Sequence, residues 1–576
     1  MKENAGTVNE NWARQSVKEL IHHGVRMFCI SPGARSTALT VAVSNHPLAE
    51  SIVHFDERGM AFHGLGFAKA TKKPVALIVT SGTAVGNLLP AIMEAHQDHI
   101  PLIILSADRP PELRDTGANQ TTDQVKIFSN FVKWQHDFPC PDPHIPLDFV
   151  GTTISQAISH ALSTPMGPVH MNCMFRKPFL AKEPSNSSMS NKPAHSAKTK
   201  VFHGKEQLSQ ESLEQLADEL SEHEKGLILV SGSAKIEEIE EVYSLSRALQ
   251  WPIFPDIFSS LRSSGGGYGV IPHYDLILKA LGAHEDFSPS AILQIGDRFV
   301  SSNLLDFLAV KKIKTYCHVS PHPERKDPIH SVTHRVSTDL NHFLNHFPKY
   351  IKGHSPSKWF EIWKELGTLS AQSISSYFEE SQSFSEPLLF HTIKDKIPSN
   401  ASLFFSNSMN VRNADAFFTP KSSVGPIFGN RGLSGIDGNI ATVAGLARGL
   451  KKPVIAFLGD LAFLHDINSL ALLKTLPVKL ICVNNQGGDI FNFLPIGAEK
   501  DFFIAPQNYP LKHAAPLFDL KYENPASPDD LMGLLNDEGP LLIEVNTAQR
   551  QNLKIHQDLV SNLKEIPSRI TTEALC

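Results

Sequence analysis

Cysteine is scarce. Six occur in 576 residues (Cys29, Cys140, Cys173, Cys317, Cys482, Cys576), with no C-x-x-C pair among them. That spacing argues against a zinc ribbon or a disulfide framework and fits reduced thiols in a cytoplasmic protein. An excess of one charge is also missing: Lys and Arg number 53 and Asp and Glu 59, for a formal net charge of −6. Such a balance argues against a nucleic-acid binder driven by bulk charge, while leaving room for local basic pockets. Long apolar runs are absent. The longest, Val75–Val79, Leu102–Leu105 and Val454–Leu458, are strand-sized, well short of the ~20 residues of a membrane-crossing helix. Met1 to Glu10 carries no basic-then-apolar leader pattern. Familiar nucleotide and metalloprotease signals are missing too. No G-x-G-x-x-G follows the first strand, the one Gly-Lys pair (Gly204-Lys205) runs into Glu206, and there is no H-E-x-x-H. Phosphate binding, if present, uses another device.

What remains is a foldable mix, 41% hydrophobic and 19% charged, long enough for three or four domains at ~150 residues each. Helical stripes alternate with short apolar strands. Asn11–His23 has apolar residues at Ala13, Val17, Leu20 and Ile21, and Gly24 ends it; Val25–Ile30, Ile52–Phe55, Val75–Thr80 and Leu102–Ser106 read as strands. This alternation predicts an α/β fold of parallel sheets covered on both faces. A Ser-, Asn-, Pro- and Lys-rich stretch reads as a solvated linker, and a weaker boundary lies near Gly353. The expected organisation is therefore a domain over 1–182, a linker over 183–204, a central α/β domain over 205–352 and a last domain over 353–576.

The first and last blocks share a pattern. Gly66-Phe67-Ala68-Lys69 precedes Lys72-Lys73-Pro74-Val75, and Gly445-Leu446-Ala447-Arg448 precedes Lys451-Lys452-Pro453-Val454. Both segments sit at one offset, 445 − 66 = 451 − 72 = 379. Either two ordinary helix-to-strand connections coincide, or one α/β domain occurs twice around a different third.

Asp460 follows the strand Val454–Leu458 and Asn485 follows the next strand, so both fall at carboxyl ends of strands, where α/β sheets bind ligands. Asp, Asn and a nearby carbonyl are hard oxygen ligands suited to Mg²⁺; a helix cap and a turn are the ordinary uses of the same residues. Gly459-Asp460 … Asn484-Asn485 resembles the metal–diphosphate motif of thiamine-diphosphate (ThDP) enzymes, and paired α/β domains around a third resemble the build of that superfamily. Its other signature, a glutamate after a first-domain strand, is matched by Glu57 in His54-Phe55-Asp56-Glu57-Arg58-Gly59. An ordered set narrows the resemblance to the ThDP enzymes of menaquinone and phylloquinone synthesis: Ser31-Pro32-Gly33-Ala34-Arg35-Ser36-Thr37, Thr80-Ser81-Gly82-Thr83-Ala84, Asp108 to Leu113, Gly117-Ala118-Asn119-Gln120, Asn430 to Gly438, Asn484 to Gly488, and Arg550-Gln551-Asn552 with His556. The match is close in the first and last blocks and loose in the middle.

The resemblance implies three doubly wound parallel-sheet domains, the first binding the cofactor's pyrimidine and the last its diphosphate. It implies a transferase, dependent on ThDP and Mg²⁺ (or Mn²⁺), that decarboxylates 2-oxoglutarate. The resulting succinyl carbanion would add to isochorismate, giving 2-succinyl-5-enolpyruvyl-6-hydroxy-3-cyclohexene-1-carboxylate and CO₂. By the same resemblance Glu57 bonds the pyrimidine nitrogen, Ser81, Gly82, Thr83 and Leu461 contact the cofactor, and Ile436 wedges it into a bent shape. Asp460, Asn485 and the Gly487 carbonyl would hold the metal. Ser408, Arg412 and Arg431 would hold the oxoglutarate-derived chain, and Arg35, Arg109, Asn119 and Gln120 would face isochorismate. Ile490, Phe491 and Leu494 would wall it. Glu57, Arg35, Gln120, Arg412 and Arg431 would form the catalytic set. Arginine suits dicarboxylates because its planar fork pairs bidentately. A cytoplasmic homo-oligomer, dimer or dimer of dimers, is implied, with active sites shared between chains and neither nucleic acid nor membrane as partner. Two departures stand out. Ala34 replaces a frequent Ser, and Ser302-Asn303 stand where the family carries Lys or Lys-Arg, with Arg298, Lys311 and Arg262 as substitute cations. A different acceptor on the same scaffold is the second reading, and a non-catalytic ThDP-like binder the third; intact Glu57, Asp460 and Asn485 argue against the latter.

Overall fold

Short buried strands joined through helices pack best as parallel sheets with helices on both faces. The computed structural model, which describes residues 4–181, 197–232, 239–380, 384–497 and 500–573, contains three such sheets. The first holds β1 (Met27–Ile30), β2 (Glu50–Val53), β3 (Val75–Val79), β4 (Leu102–Asp108), β5 (Trp134–Phe138) and β6 (Val169–Met174), in the order β2-β1-β3-β4-β6-β5. The middle sheet holds β7 (Gly226–Val230), β8 (Ile253–Pro255), β9 (Ala291–Ile295), β10 (Thr315–Ser320) and β11 (His334–Ser337), in the order β11-β10-β9-β7-β8. The third holds β12 (Ser402–Phe405), β13 (Ile427–Phe428), β14 (Val454–Gly459), β15 (Val478–Asn484), β16 (Lys521–Glu523) and β17 (Leu541–Asn546), in the order β13-β12-β14-β15-β17-β16. Counted from its own first strand, the third sheet repeats the first, 2-1-3-4-6-5, whereas the middle sheet reads 2-1-3-4-5. Central strands β3, β4 and β15 are buried along their whole length, as a sheet covered on both faces requires.

The sequence similarity at offset 379 is therefore structural. The helix Glu57–Thr71 ends at Lys72 in the left-handed region (φ 56°), its N–H bonded to the Ala68 carbonyl. The helix Asn439–Leu450 ends at Lys451 in the same conformation (φ 53°), bonded to the Ala447 carbonyl. Each then enters a buried strand, β3 or β14, through a Lys-Pro turn.

The chain divides into two compact units. One comprises Met1–His203, Asn430–Lys452 and Ala462–Val478; the other comprises Gly204–Gly429, Pro453–Leu461 and Lys479–Cys576. Within the first unit the two related helices cross at glycine. A Cβ on Gly66 would lie 2.1 Å from the Thr442 carbonyl oxygen, and one on Gly445 would lie 2.1 Å from the His63 carbonyl oxygen. Residues 63 and 442, like 66 and 445, differ by 379, so each helix presents the same surface to the other. Asp466 fixes the start of the second helix, its Oδ2 accepting from the Ala441 amide at 3.0 Å. Glu94 holds the preceding loop through the amides of Gly432 and Leu433 at 2.8 and 2.6 Å.

Within the second unit the middle and third sheets share one core that includes Phe254, Tyr274, Trp363, Phe405 and Phe457. Arg262 ties them: its guanidinium donates to the carbonyls of Asp415 (2.6 Å) and Phe418 (3.0 Å). Most of the stretch expected as a linker, residues 183–196 of 183–204, lies outside the described residues. Just beyond it, the Lys198 amide bonds Glu19 Oε1 at 2.7 Å. Among the described residues five cysteines are buried free thiols, and no helix is long and apolar enough to cross a membrane.

Gly66→Ala and Gly445→Ala should each cost about 3 kcal/mol or more, because the added methyl meets backbone rather than a movable side chain; denaturant unfolding at wild-type stability would refute the crossing. Buried His63 and His170, the latter bonded to Ser106 Oγ at 2.7 Å, are both pushed down to about 3 by burial. The unfolded chain takes up these protons near the ordinary value of 6.5 while the folded chain does not, so stability falls as pH drops below that value. At about pH 5 each histidine should cost about 2 kcal/mol, and His170→Gln should flatten the slope of stability against pH.

Candidate active site

In a doubly wound sheet the loops that diverge at the switch point open a crevice beyond the strand ends. In the first sheet that point lies between β1 and β3, and in the third between β12 and β14. The expected residues gather in these loops. Arg35 follows β1, Ser81-Gly82-Thr83 follow β3, Ser408 and Arg412 follow β12, and Asp460 follows β14.

In the first unit, Gly33 brings the loop after β1 against the end of β3: its Cβ would lie 2.4 Å from Thr80 Cβ. Gly82 adopts φ 82° and donates its N–H to Gln124 Oε1 at 3.0 Å. Gln124 is wholly buried and passes the connection inward, donating to Asn172 Oδ1 at 2.9 Å, while Asn172 donates to Asp108 Oδ2 at 2.9 Å. Gln120 Nε2 donates to the Ser81 carbonyl at 2.9 Å, and its Oε1 accepts from Arg109 at 3.4 Å. Thr83 and Asn119 are exposed.

Arg35 is buried, donates to the Phe175 carbonyl at 2.6 Å and lies 4.8 Å from the centre of the Phe179 ring. Its Nε, and one terminal nitrogen of Arg109, are buried without a partner. Burial, and then the charge of Arg109, hold the Arg35 guanidinium below its ordinary value, and burial does the same for Arg109. Two cations thus lie close enough to repel, with hydrogen-bond donors to spare.

Glu57 heads its helix, but Asp56 caps it, accepting from the amides of Arg58 and Gly59 at 2.9 and 3.3 Å. The Glu57 carboxylate is left half-buried, held by Asn87 Nδ2 at 3.0 Å. Arg431 and Ile436, both half-buried, sit in the loop that Glu94 anchors.

In the second unit, Asp460 is buried and its Oδ2 accepts from Gln507 Nε2 at 2.5 Å. Its Oδ1 accepts from the Leu461 amide at 2.9 Å, and the Gly487 N–H also reaches the carboxylate. Burial pushes this carboxyl up, and those donors oppose the shift. Asn485 donates to Glu386 Oε1 at 2.8 Å, which leaves its own Oδ1 buried and unpartnered. Gly487 has φ 148°, and a Cβ there would lie 2.7 Å from the Ile504 carbonyl. An orphaned amide oxygen, a buried carboxylate and a main-chain carbonyl make a hard-oxygen set that fits a divalent cation such as Mg²⁺.

Ser408 takes φ 69° and ψ −132°, a conformation that costs a non-glycine residue about 1–3 kcal/mol. Arg412 donates to its carbonyl at 2.6 Å. Ile490 and Phe491 are half-buried and Leu494 is exposed. Ser302 is exposed, and Asn303 donates to Asp275 Oδ2 at 3.0 Å beside Ser301. Of the substitute cations, Arg262 is spent on the third domain's carbonyls, and Lys311 donates to the His284 carbonyl at 2.7 Å.

Sequence reasoning missed Gln124, Asn172, Gln507 and Glu386. Glu386 is buried; its Oε2 accepts from Asn413 at 3.0 Å and Asn552 at 3.2 Å. Burial pushes it up to about 7, and the Asn485 bond opposes the shift. Its only local signal is Ser385, the N-cap of its helix, which marks a helix start and no function.

One α/β topology used twice around a third sheet, with an acid heading a helix beside one copy and an oxygen-ligand set in the other, defines a thiamine-diphosphate-dependent enzyme. Residues 11–127 match the family "Thiamine pyrophosphate enzyme, N-terminal TPP binding domain", and residues 195–405 match "Middle domain of thiamine pyrophosphate". A protein of Rubrobacter xylanophilus is 37% identical over 97% of this chain and 99% of its own length. One of Salinibacter ruber is 39% identical over 96% of each, and one of Chlorobium phaeobacteroides is 36% identical over 97% and 98%. All three are named 2-succinyl-5-enolpyruvyl-6-hydroxy-3-cyclohexene-1-carboxylate synthase. The chain belongs to that synthase family.

Gln124→Leu keeps the volume but strands the Gly82 amide and Asn172. It should cost about 1–3 kcal/mol for each buried group left unpaired, and loosen the Ser81–Thr83 loop to hydrogen exchange; wild-type exchange there would exclude the anchoring role.

Proposed function

We propose that the chain decarboxylates 2-oxoglutarate and adds the resulting succinyl unit to isochorismate, supplying menaquinone biosynthesis. The observation that carries this is the Arg35–Arg109 pair, a buried and a half-buried guanidinium, each with a buried nitrogen left unpartnered, beside Gln120. A planar carboxylate fits such a pair, and both substrates are dicarboxylates. When bound, ThDP supplies a carbon nucleophile for the 2-oxo acid. Glu57, steadied by Asn87, exchanges a proton with the cofactor's pyrimidine nitrogen, and Ser81, Gly82, Thr83, Leu461 and Ile436 hold and bend the cofactor. Asp460, Asn485 and the Gly487 carbonyl bind Mg²⁺ (or Mn²⁺) and through it the diphosphate; Glu386 turns the Asn485 oxygen toward the ion, as outer-shell carboxylates do. Ser408, Arg412 and Arg431 take the oxoglutarate carboxylates. Arg35, Arg109, Asn119 and Gln120 take isochorismate against Ile490, Phe491 and Leu494.

Just before Glu57 in the chain, Val53 (62%) and Phe55 (64%) leave large apolar side chains exposed, which supports their burial in a homo-oligomer, dimer or dimer of dimers, whose active sites are shared between chains. Free, buried thiols support a cytoplasmic location.

Purified protein with ThDP, Mg²⁺ and 2-oxoglutarate should release CO₂, and faster with isochorismate. Chelation should stop it and Mg²⁺ restore it. Glu57→Gln should retain ThDP yet lose about 10²–10⁴-fold in rate, the usual worth of a positioned acid–base group. Turnover with another acceptor but not isochorismate would assign a different carboligase, and a wild-type rate in Glu57→Gln would remove that residue from the mechanism.

A further inference from the structure

Within the second unit, between the middle domain and the helices Lys358–Glu379 and Glu386–Ile393, lies a cavity of about 630 Å³ whose lining includes Arg262, already spent on the third domain's carbonyls. Its volume falls in the range of small-molecule sites, about 300–1,000 Å³. Ile271, Phe378 and Leu388 give it apolar walls. Gly265 and Gly266 line one side with φ of 89° and 85°. A Cβ on Gly265 would lie 2.8 Å from the Ser422 backbone, so glycine there lets this loop close against the segment that carries Lys421.

Lys394 provides the charge. It is 8% exposed and lines the cavity, and its Nζ lies 3.1 Å from His391 Nδ1. Among the described residues no carboxylate pairs with this ammonium. Receiving that bond makes His391 Nδ1 an acceptor, hence a neutral ring, so the histidine carries no charge of its own here. One of the three ammonium donors is thereby used. The lining acids, Asp395 and Glu379, are exposed, while Arg262, Lys396 and Lys421 add further cations to the same lining. Complementing the end of the helix Glu386–Ile393 is a purely structural use for a cation at this position, yet the Nζ bond runs to an imidazole. A buried ammonium without a counter-charge is costly. Burial pushes Lys394 down to about 8, opposed by the charge of Asp395 and reinforced by that of Lys421, so it is still mostly protonated at neutral pH.

We propose that this cavity binds a small organic anion, a carboxylate on an apolar body, with the Lys394 ammonium as its counter-charge and the Ile271–Phe378–Leu388 walls around its apolar part. A bare inorganic anion would leave the walls and most of the volume unused.

Cyclohexanecarboxylate and cyclohexylmethylamine, near-isosteric and opposite in charge, test this by calorimetric titration of the full chain. The carboxylate should bind saturably and the amine should not. Lys394→Arg should keep affinity within about threefold. Lys394→Met should lose about tenfold or more, as expected for a charge-assisted hydrogen bond, while retaining ThDP-dependent turnover. Ala371→Phe, which fills the cavity without touching the charge, should block binding as well and stands in if Lys394→Met does not fold. Absence of saturable binding, equal binding of the amine, or carboxylate binding that survives both Lys394→Met and Ala371→Phe would overturn the proposal.

Discussion

The crossing of the helices Glu57–Thr71 and Asn439–Leu450 is the constraint on which the first unit depends. Gly66 and Gly445 let each backbone touch a carbonyl of the other helix at a distance no side chain permits. Glu57 lies nine residues before the first glycine, and the loop of Arg431 and Ile436 runs directly into the second helix. The crossing therefore sets the position of Glu57 and of the loop carrying Ile436 at once. Its internal symmetry follows from the repeat, because two copies of one surface meet most simply as equals.

Duplication explains the division of labour between the sheets. With strand order shared, the loops after equivalent strands start from equivalent places, and chemistry diverges only in what they carry. After β3 stands Ser81-Gly82, pinned by Gln124; after β14 stands Asp460, a carboxylate among donors. The first loop carries backbone and hydroxyl groups, and the second carries a carboxylate. The middle sheet has the same run of four strands, 2-1-3-4, but a different far edge, and its conspicuous polar group, Arg262, is spent on holding the third domain.

Buried polar groups are costly unless paired, and at both sites this cost is met by amide–carboxylate networks. Glu386 accepts from three asparagines, Asn485, Asn413 and Asn552, which fixes the amide rotation of each. Only through that fixing does the Asn485 oxygen face away without a protein partner. Arg35 and Arg109 invert the pattern: each keeps a buried nitrogen donor without an acceptor.

Strand runs and the internal repeat could be read from the sequence, because each is local. An apolar run of five residues names a buried strand, and a polar residue directly after it falls at a strand end. The repeat predicted two related domains, and the sheets share one strand order to the last strand. Gln124, Asn172 and Glu386 could not be read. Their roles depend on partners up to 166 positions away, and a lone buried Gln or Glu has no periodicity or spacing to mark it. The same holds for Arg262 and Lys394: both are basic residues in unremarkable stretches, and only packing made one a clamp between two sheets and left the other facing a cavity. Sequence determined which chemistry each loop could carry, since that is a property of residue types at strand ends. Tertiary structure alone decided which groups are desolvated, paired or left wanting a partner, because burial and distance arise only when remote segments meet.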